Sequence, residues 1–201
     1  MAKRRDADEQ AGRISEALWD VLSTSGPQGL TLRAVAERAG CTTGLVLHRF
    51  PDKRALLLHA RDLLHARTAE HTEAVEAAAS DPVYAVRAVL TQALSLTPTT
   101  QQEARVWLGY LAAALGDDEL AERHRAGNDV FVARMRRLIA AARPDWSESR
   151  SVSTATALIG LVEGLNVLST ADLDRYSPEA QLAALERALQ AFGLAREEAP
   201  Q

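Results

Sequence analysis

The sequence predicts an all-α protein of about nine helices, with an N-terminal three-helix domain built on a helix-turn-helix and a C-terminal helical domain behind it. Three observations predict this. Apolar residues recur at spacings of three and four, as in Ile14, Ala17, Leu18, Val21 and Leu22, which is the period of an amphipathic helix. Pro, Gly, Ser and Asp cluster between such stretches, where helices stop and are recapped. Finally, Leu32 to Lys53 reads LRAVAERAGCTTGLVLHRFPDK, in which Ala36, Gly40 and Val46 stand at offsets of four and six.

Those offsets build a helix-turn-helix for physical reasons. Ala36 faces the second helix of the pair, and a larger side chain there would push the two axes apart. Gly40 ends the first helix, because the sharp turn needs a positive φ that glycine enters without strain. Val46 packs back onto the first helix and leaves Thr42, Thr43, Leu45 and His48 turned outward. In this motif the second helix lies in the DNA major groove with its first residues toward base edges.

The first helix starts near Asp8 and covers the helix-turn-helix, behind a short basic arm of Lys3, Arg4 and Arg5. Ser25 to Gly29 breaks it, and Thr31 caps the next helix. Asp52 caps a fourth helix that Lys53 begins and that runs to about Ala79, without internal Pro or Gly. A fifth helix covers about Pro82 to Leu96, a sixth Gln101 to Leu115, and a seventh Asp118 to Arg143. Pro144 precedes an eighth from about Ser147 to Ser169, and Ser177 caps a ninth from Pro178 to Phe192. The division expected is 1-53 for the helix-turn-helix domain and 54-201 for the helical domain behind it.

Composition excludes several classes. No apolar segment follows the basic residues of MAKRRDADEQ, and no run is expected to span a bilayer, so the expected location is cytoplasmic with no membrane partner. The single cysteine, Cys41, has no internal disulfide partner, which agrees with a reducing compartment. Net charge is -4, yet residues 1–54 hold nine Lys and Arg against seven Asp and Glu, and the remainder fourteen against twenty. A basic head on an acidic body keeps attraction to DNA local. There is no Gly-rich phosphate loop, nucleophile elbow, Cys cluster or Glu-x-x-His pair, so no enzyme, cofactor or metal is expected. His59, His65 and His71 are six apart, which does not set them on one helix face as metal ligands. An architectural helical module without sequence preference is the remaining alternative.

The run Thr31 to Lys53, ending in HRFPDK and followed by Leu56, resembles the DNA-binding domain of the TetR family of bacterial transcriptional regulators. The resemblance implies a homodimer that binds a palindromic operator and is released by a small, largely apolar ligand. It departs at Leu47, where the family usually has a tyrosine on a backbone phosphate. Thr42, Thr43, Gly44, Leu45, Leu47 and His48 are expected at or near the bases, with Thr31, Arg33, Arg49, Lys53 and Arg54 at the phosphates. Trp107, Tyr110, Phe131 and Met135 are expected as apolar walls of an effector pocket, and His124 and Asn128 as its orienting polar groups. Leu158, Leu161 and Leu165 of the eighth helix and Leu182, Leu185 and Leu189 of the ninth are expected to pair with their copies in a four-helix interface.

Overall fold

The computed structural model describes residues 2–195, with side chains from Glu9 onward, so the basic arm at Lys3 to Arg5 lies outside the described side chains. Among the described residues the regular structure is helical: α1 (Ala2–Gly29), α2 (Leu32–Ala39), α3 (Thr43–Arg49), α4 (Lys53–Ala77), α5 (Pro82–Gln92), α6 (Pro98–Ala114), α7 (Asp118–Ala142), α8 (Glu148–Ala171) and α9 (Pro178–Ala191). Two compact units result, Met1–Ala66 with Arg105–Arg125, and Arg67–Ala104 with Ala126–Gln201. Helices α4, α6 and α7 each contribute residues to both.

In the first unit the local signals act where the sequence puts them. The Thr31 hydroxyl accepts from Ala34 N at 3.0 Å and starts α2. Gly40 ends it at φ 64°, while the Thr42 side chain accepts from Leu45 N and starts α3. Ala36 and Val46 are buried, with Leu18, Leu22, Leu30, Val35 and Leu56 around them. The break after Ser25 is a kink within α1: Gly26 takes φ 65°, and Pro27 restarts the helix. Gly109 of α6 lies against that kink, since a Cβ there would stand 3.1 Å from Pro27 Cδ and 3.4 Å from Leu22 Cδ1.

The second unit packs α5, α8, α9 and the later part of α7 around Val86, Leu90, Met135, Ile139, Leu158 and Leu185. A buried polar network fixes their register. Ser95 Oγ bonds Asn166 Oδ1 at 2.7 Å, Asn166 Nδ2 donates to Ala93 O at 2.8 Å, and Gln181 Oε1 accepts from Ser95 N at 3.2 Å. Gln181 Nε2 also donates to Tyr176 O at 2.8 Å, so the ninth helix is tied to the chain just before it and to the end of α5. Trp146, in the turn before α8, has the guanidinium groups of Arg143 and Arg150 at 4.7 and 4.0 Å from its ring centroid.

Against the sequence expectation, one helix is long and apolar enough by composition to cross a membrane, α8. Packing within the chain accounts for its inner side. Its inner side carries Leu158, Val162 and Leu165 into the core. Its outer side carries Thr156, Ala157, Gly160, Gly164, Val167 and Leu168 at helical spacing with the half-buried Glu163 beside them, and a Cβ at either glycine meets nothing within 4 Å.

Candidate nucleic-acid interface and effector cluster

Helix α3 presents an exposed tip whose residues from Thr42 to Leu47 carry no charge. Thr42, Thr43, Gly44, Leu47, His48 and Arg49 are exposed, whereas Leu45 is half-buried against the core of its unit. Leu47, 49% exposed, is an apolar side chain on a surface that must meet a polar groove. A thymine methyl group suits it and a phosphate does not.

The cations near this tip divide by what holds them. Lys53 is exposed at the start of α4, where the Asp52 carboxylate caps the helix by accepting from Ala55 N at 2.8 Å. Arg33 is exposed on α2 and shares its charge with Glu37, one turn on, at 2.8 Å. Arg54 was expected at phosphate, and the structure corrects this: its Nε donates to Asp117 at 2.6 Å and its Nη1 lies 3.5 Å from Glu119. That hydrogen bond holds the Asp117 carboxyl below the usual carboxylate range, and Asp117 also caps α7 by accepting from Glu119 N and Leu120 N. Arg54 is therefore a strut between α4 and the start of α7.

Behind the reading tip, His59 joins three elements. Its Nε2 is 2.8 Å from Ser15 Oγ, and its ring centroid is 5.0 Å from that of Phe50. Ser15 Oγ also lies 3.1 Å from Ala11 O, so its one hydroxyl proton serves either the carbonyl or the imidazole nitrogen. Burial, with the nearby Arg49 charge, pushes the imidazole below its ordinary value. Protonation is thus opposed in the folded chain and unopposed in the unfolded one. The stability this provides is full above the ordinary histidine value of about 6.5 and is lost as pH falls below it. Thermal unfolding between about pH 7.5 and 5 is expected to show a smaller drop in midpoint for His59→Gln than for the unaltered chain; equal drops would remove His59 from the account.

The residues expected at the effector divide between the units. Trp107, Tyr110 and His124 belong to the first. The Trp107 and His124 rings lie 4.9 Å apart, and the Arg61 guanidinium of α4 lies 4.9 Å from the Trp107 centroid. Tyr110 is fully buried with its hydroxyl donating to Leu120 O at 2.7 Å, which makes it core and not a pocket wall. Asn128, Phe131 and Met135 belong to the second unit, where Asn128 and Phe131 are half-buried and Met135 is inside the core. Two buried charges escaped the sequence reading. Arg61 is 6% exposed, and Glu103 of α6 is 7% exposed with Oε1 unpartnered and its carboxyl raised by desolvation. Both sit at apolar-spaced positions of their helices, so only the size of the buried charge marks them. A groove of about 520 Å³ between α5 and α9 is lined by other residues, among them Val83, Tyr84, Leu189 and Leu194, with the Arg87–Glu186 ion pair beside them.

The leucines expected to meet a second copy divide likewise. Leu158, Leu165, Leu185 and Leu189 are buried in the chain's own core, because α8 and α9 turn these side chains toward α5 and α7. Leu161 and Leu182 are half-buried. The face left open on α8 is the stripe through Gly160, Gly164 and Leu168. Among the described residues no group of three or more His, Cys, Asp or Glu side chains is placed to hold a metal.

A capped α2, a left-handed glycine turn and a short exposed α3 on a helical body define a helix-turn-helix DNA-binding regulator. Residues 14–60 match the family model described as bacterial regulatory proteins, tetR family, and residues 82–193 match that of the BetI-type transcriptional repressor C-terminal domain. The chain belongs to the TetR family of transcriptional regulators, whose members are DNA-binding proteins and not enzymes. It is 30% identical over 158 residues to the HTH-type transcriptional regulator BetI of Burkholderia thailandensis, covering 76% of this chain and 77% of that one. With the HTH-type transcriptional regulator PksA of Bacillus subtilis it shares 26% identity over 140 residues, covering 70% and 67%. A transcriptional regulator from Rhodococcus sp. Rha1 superposes with TM-score 0.79 at 28% identity, over 90% of this chain and 94% of that one. Another from Saccharomonospora viridis, solved in complex with choline, superposes with TM-score 0.83 at 16% identity, over 92% and 96%.

Proposed function

We propose that the chain works as a homodimeric, cytoplasmic repressor that binds a palindromic operator and leaves it when a small molecule binds the helical body. Two observations carry this, an exposed α3 tip and an open side of α8 lined by small and apolar residues. One α3 offers few base contacts, because Leu47 cannot donate a hydrogen bond and Leu45 is partly spent on packing. Two copies place two such helices about 34 Å apart, one turn of duplex, or near to it. Small residues at Gly160 and Gly164 allow a partner helix to approach closely, and Leu161, Val167, Leu168 and Leu182 supply apolar contact.

Thr42, Thr43, Gly44, Leu47 and His48 read or approach the bases, while Thr31, Arg33, Arg49 and Lys53 position the backbone. Trp107 and His124 of the first unit are the effector contacts in this reading, and the ligand acts by favouring a conformation whose two heads no longer match the groove. The Arg54 strut carries the start of α7 with the start of α4.

Footprinting on DNA next to the gene tests the reading: one protected stretch with two-fold symmetric halves supports it, and uniform protection contradicts it. Lys53→Ala is expected to weaken binding to all duplexes alike and to lower the slope of log affinity against log salt by about one per head. A changed sequence preference in that variant would place Lys53 at a base.

A further inference from the structure

We infer that His59 positions the reading helix and takes up a proton when a DNA backbone occupies that helix, so that pH sets part of the affinity. This rests on the reading above in which Arg49 lies at a phosphate. His59, Ser15, Arg49 and Phe50 all belong to the first unit.

Three elements meet at the His59 ring. His59 stands on α4, Ser15 on α1, and Phe50 caps the end of α3 with its N–H donating to Val46 O. The imidazole lies 2.8 Å from Ser15 Oγ and 5.0 Å, centroid to centroid, from Phe50. Arg49, the exposed last residue of α3, sets its guanidinium 5.7 Å from the centre of the same Phe50 ring. One half-buried side chain thus holds the end of the reading helix against α1.

The hydrogen bonds at this junction survive a change of charge. When the neutral ring carries its proton on Nδ1, Ser15 donates to Nε2. When both nitrogens are protonated, Nε2–H donates to Ser15 Oγ, whose own proton turns to Ala11 O at 3.1 Å. No bond is lost in taking the proton, so what opposes it is burial first and the Arg49 charge second. The charged groups that bear on the ring are Arg49 of α3 and Asp62 of α4, while α1 presents the uncharged Ser15. Asp62 favours the proton, although it is engaged by Arg123 Nε and Nη2 at 2.9 and 2.6 Å. A phosphate at Arg49 offsets the one positive charge acting against the ring. By linkage, DNA that favours the proton is favoured by it to the same degree. Affinity therefore rises as pH falls through the histidine range. The gain is full below the free chain's titration and is lost as pH rises through that of the complex.

Two probes are added to the full chain: a short duplex of arbitrary sequence at low salt, and a duplex selected from a random library. Proton NMR of the His59 ring, its resonance identified by its loss in His59→Gln, gives the titration midpoint with and without DNA. The midpoint is expected to move to higher pH with either duplex. Between about pH 7.5 and 5.5, affinity is expected to tighten by about threefold per head more than in His59→Gln. Arg49→Gln is expected to raise the midpoint of the free chain and to abolish any further movement on binding. A midpoint that DNA leaves in place or lowers overturns the inference, and so does a movement that persists in Arg49→Gln. Movement with the arbitrary duplex, without any enriched sequence, supports the proton linkage and counts against the operator reading. A symmetric sequence bound with the midpoint unmoved does the reverse. A chain that holds neither duplex overturns both.

Discussion

Leu168→Glu on the outer stripe of α8 is expected to yield a folded monomer with operator affinity lower by about a thousandfold. The side chain is 46% exposed, and a Cβ at neighbouring Gly160 or Gly164 meets nothing, so a charge here costs the single chain little. In a paired α8 face the same carboxylate is buried against its own copy, where two like charges lose their water together. Loss of the pair removes the second reading head, and linking two heads is worth about two to four powers of ten in affinity. Gly160→Glu should act in the same way. A sizing column reads the change directly, since a dimer has twice the 21.7 kDa of the chain. Unchanged size and affinity would move the interface off α8.

Gln181→Ala is expected to lower stability by about 3 kcal/mol and the unfolding midpoint by about 8 °C. Gln181 is 0% exposed and closes the polar network of the second unit. Alanine leaves Ser95 N and Tyr176 O without their bonds at 3.2 and 2.8 Å, and opens a cavity where the amide stood. Each buried group left unpaired costs about 1 to 3 kcal/mol, and water entering the cavity recovers part of it. Calorimetry on the pair of proteins gives the answer. A midpoint within about 2 °C of the unaltered chain would mean the network contributes nothing.

The helix-turn-helix is legible in sequence because its determinants are local. Thr31, Gly40 and Thr42 act within three or four residues of themselves, and each holds the cap or turn its chemistry predicts. The same holds for Asp52 and Ser177. What periodicity cannot give is the partner of a face. On α8 apolar residues occur nearly all round, so large leucines there look free to meet a second copy. Folding takes Leu158 and Leu165 into the core and leaves open the small residues, which hydropathy does not mark. Long-range polar pairs are hidden for the same reason. Gln181 and Ser95 are 86 residues apart, and Arg54 and Asp117 are 63 apart. Arg54 shows the cost of reading charge by proximity in sequence: beside Lys53 it looks like a phosphate contact, yet a carboxylate from α7's cap holds it. Arg61 and Glu103 follow the apolar rhythm of their helices while carrying charge, so burial, not pattern, singles them out.

In the proposed dimer, two copies of the α3 tip read one symmetric sequence. Selection of bound duplexes from a random library at near-physiological salt, followed by sequencing, tests it most directly. An enriched two-fold symmetric motif is expected, with half-sites about one turn of duplex apart and thymines opposite Leu47. Enrichment of a single unpaired half-site, or of no motif, would contradict it.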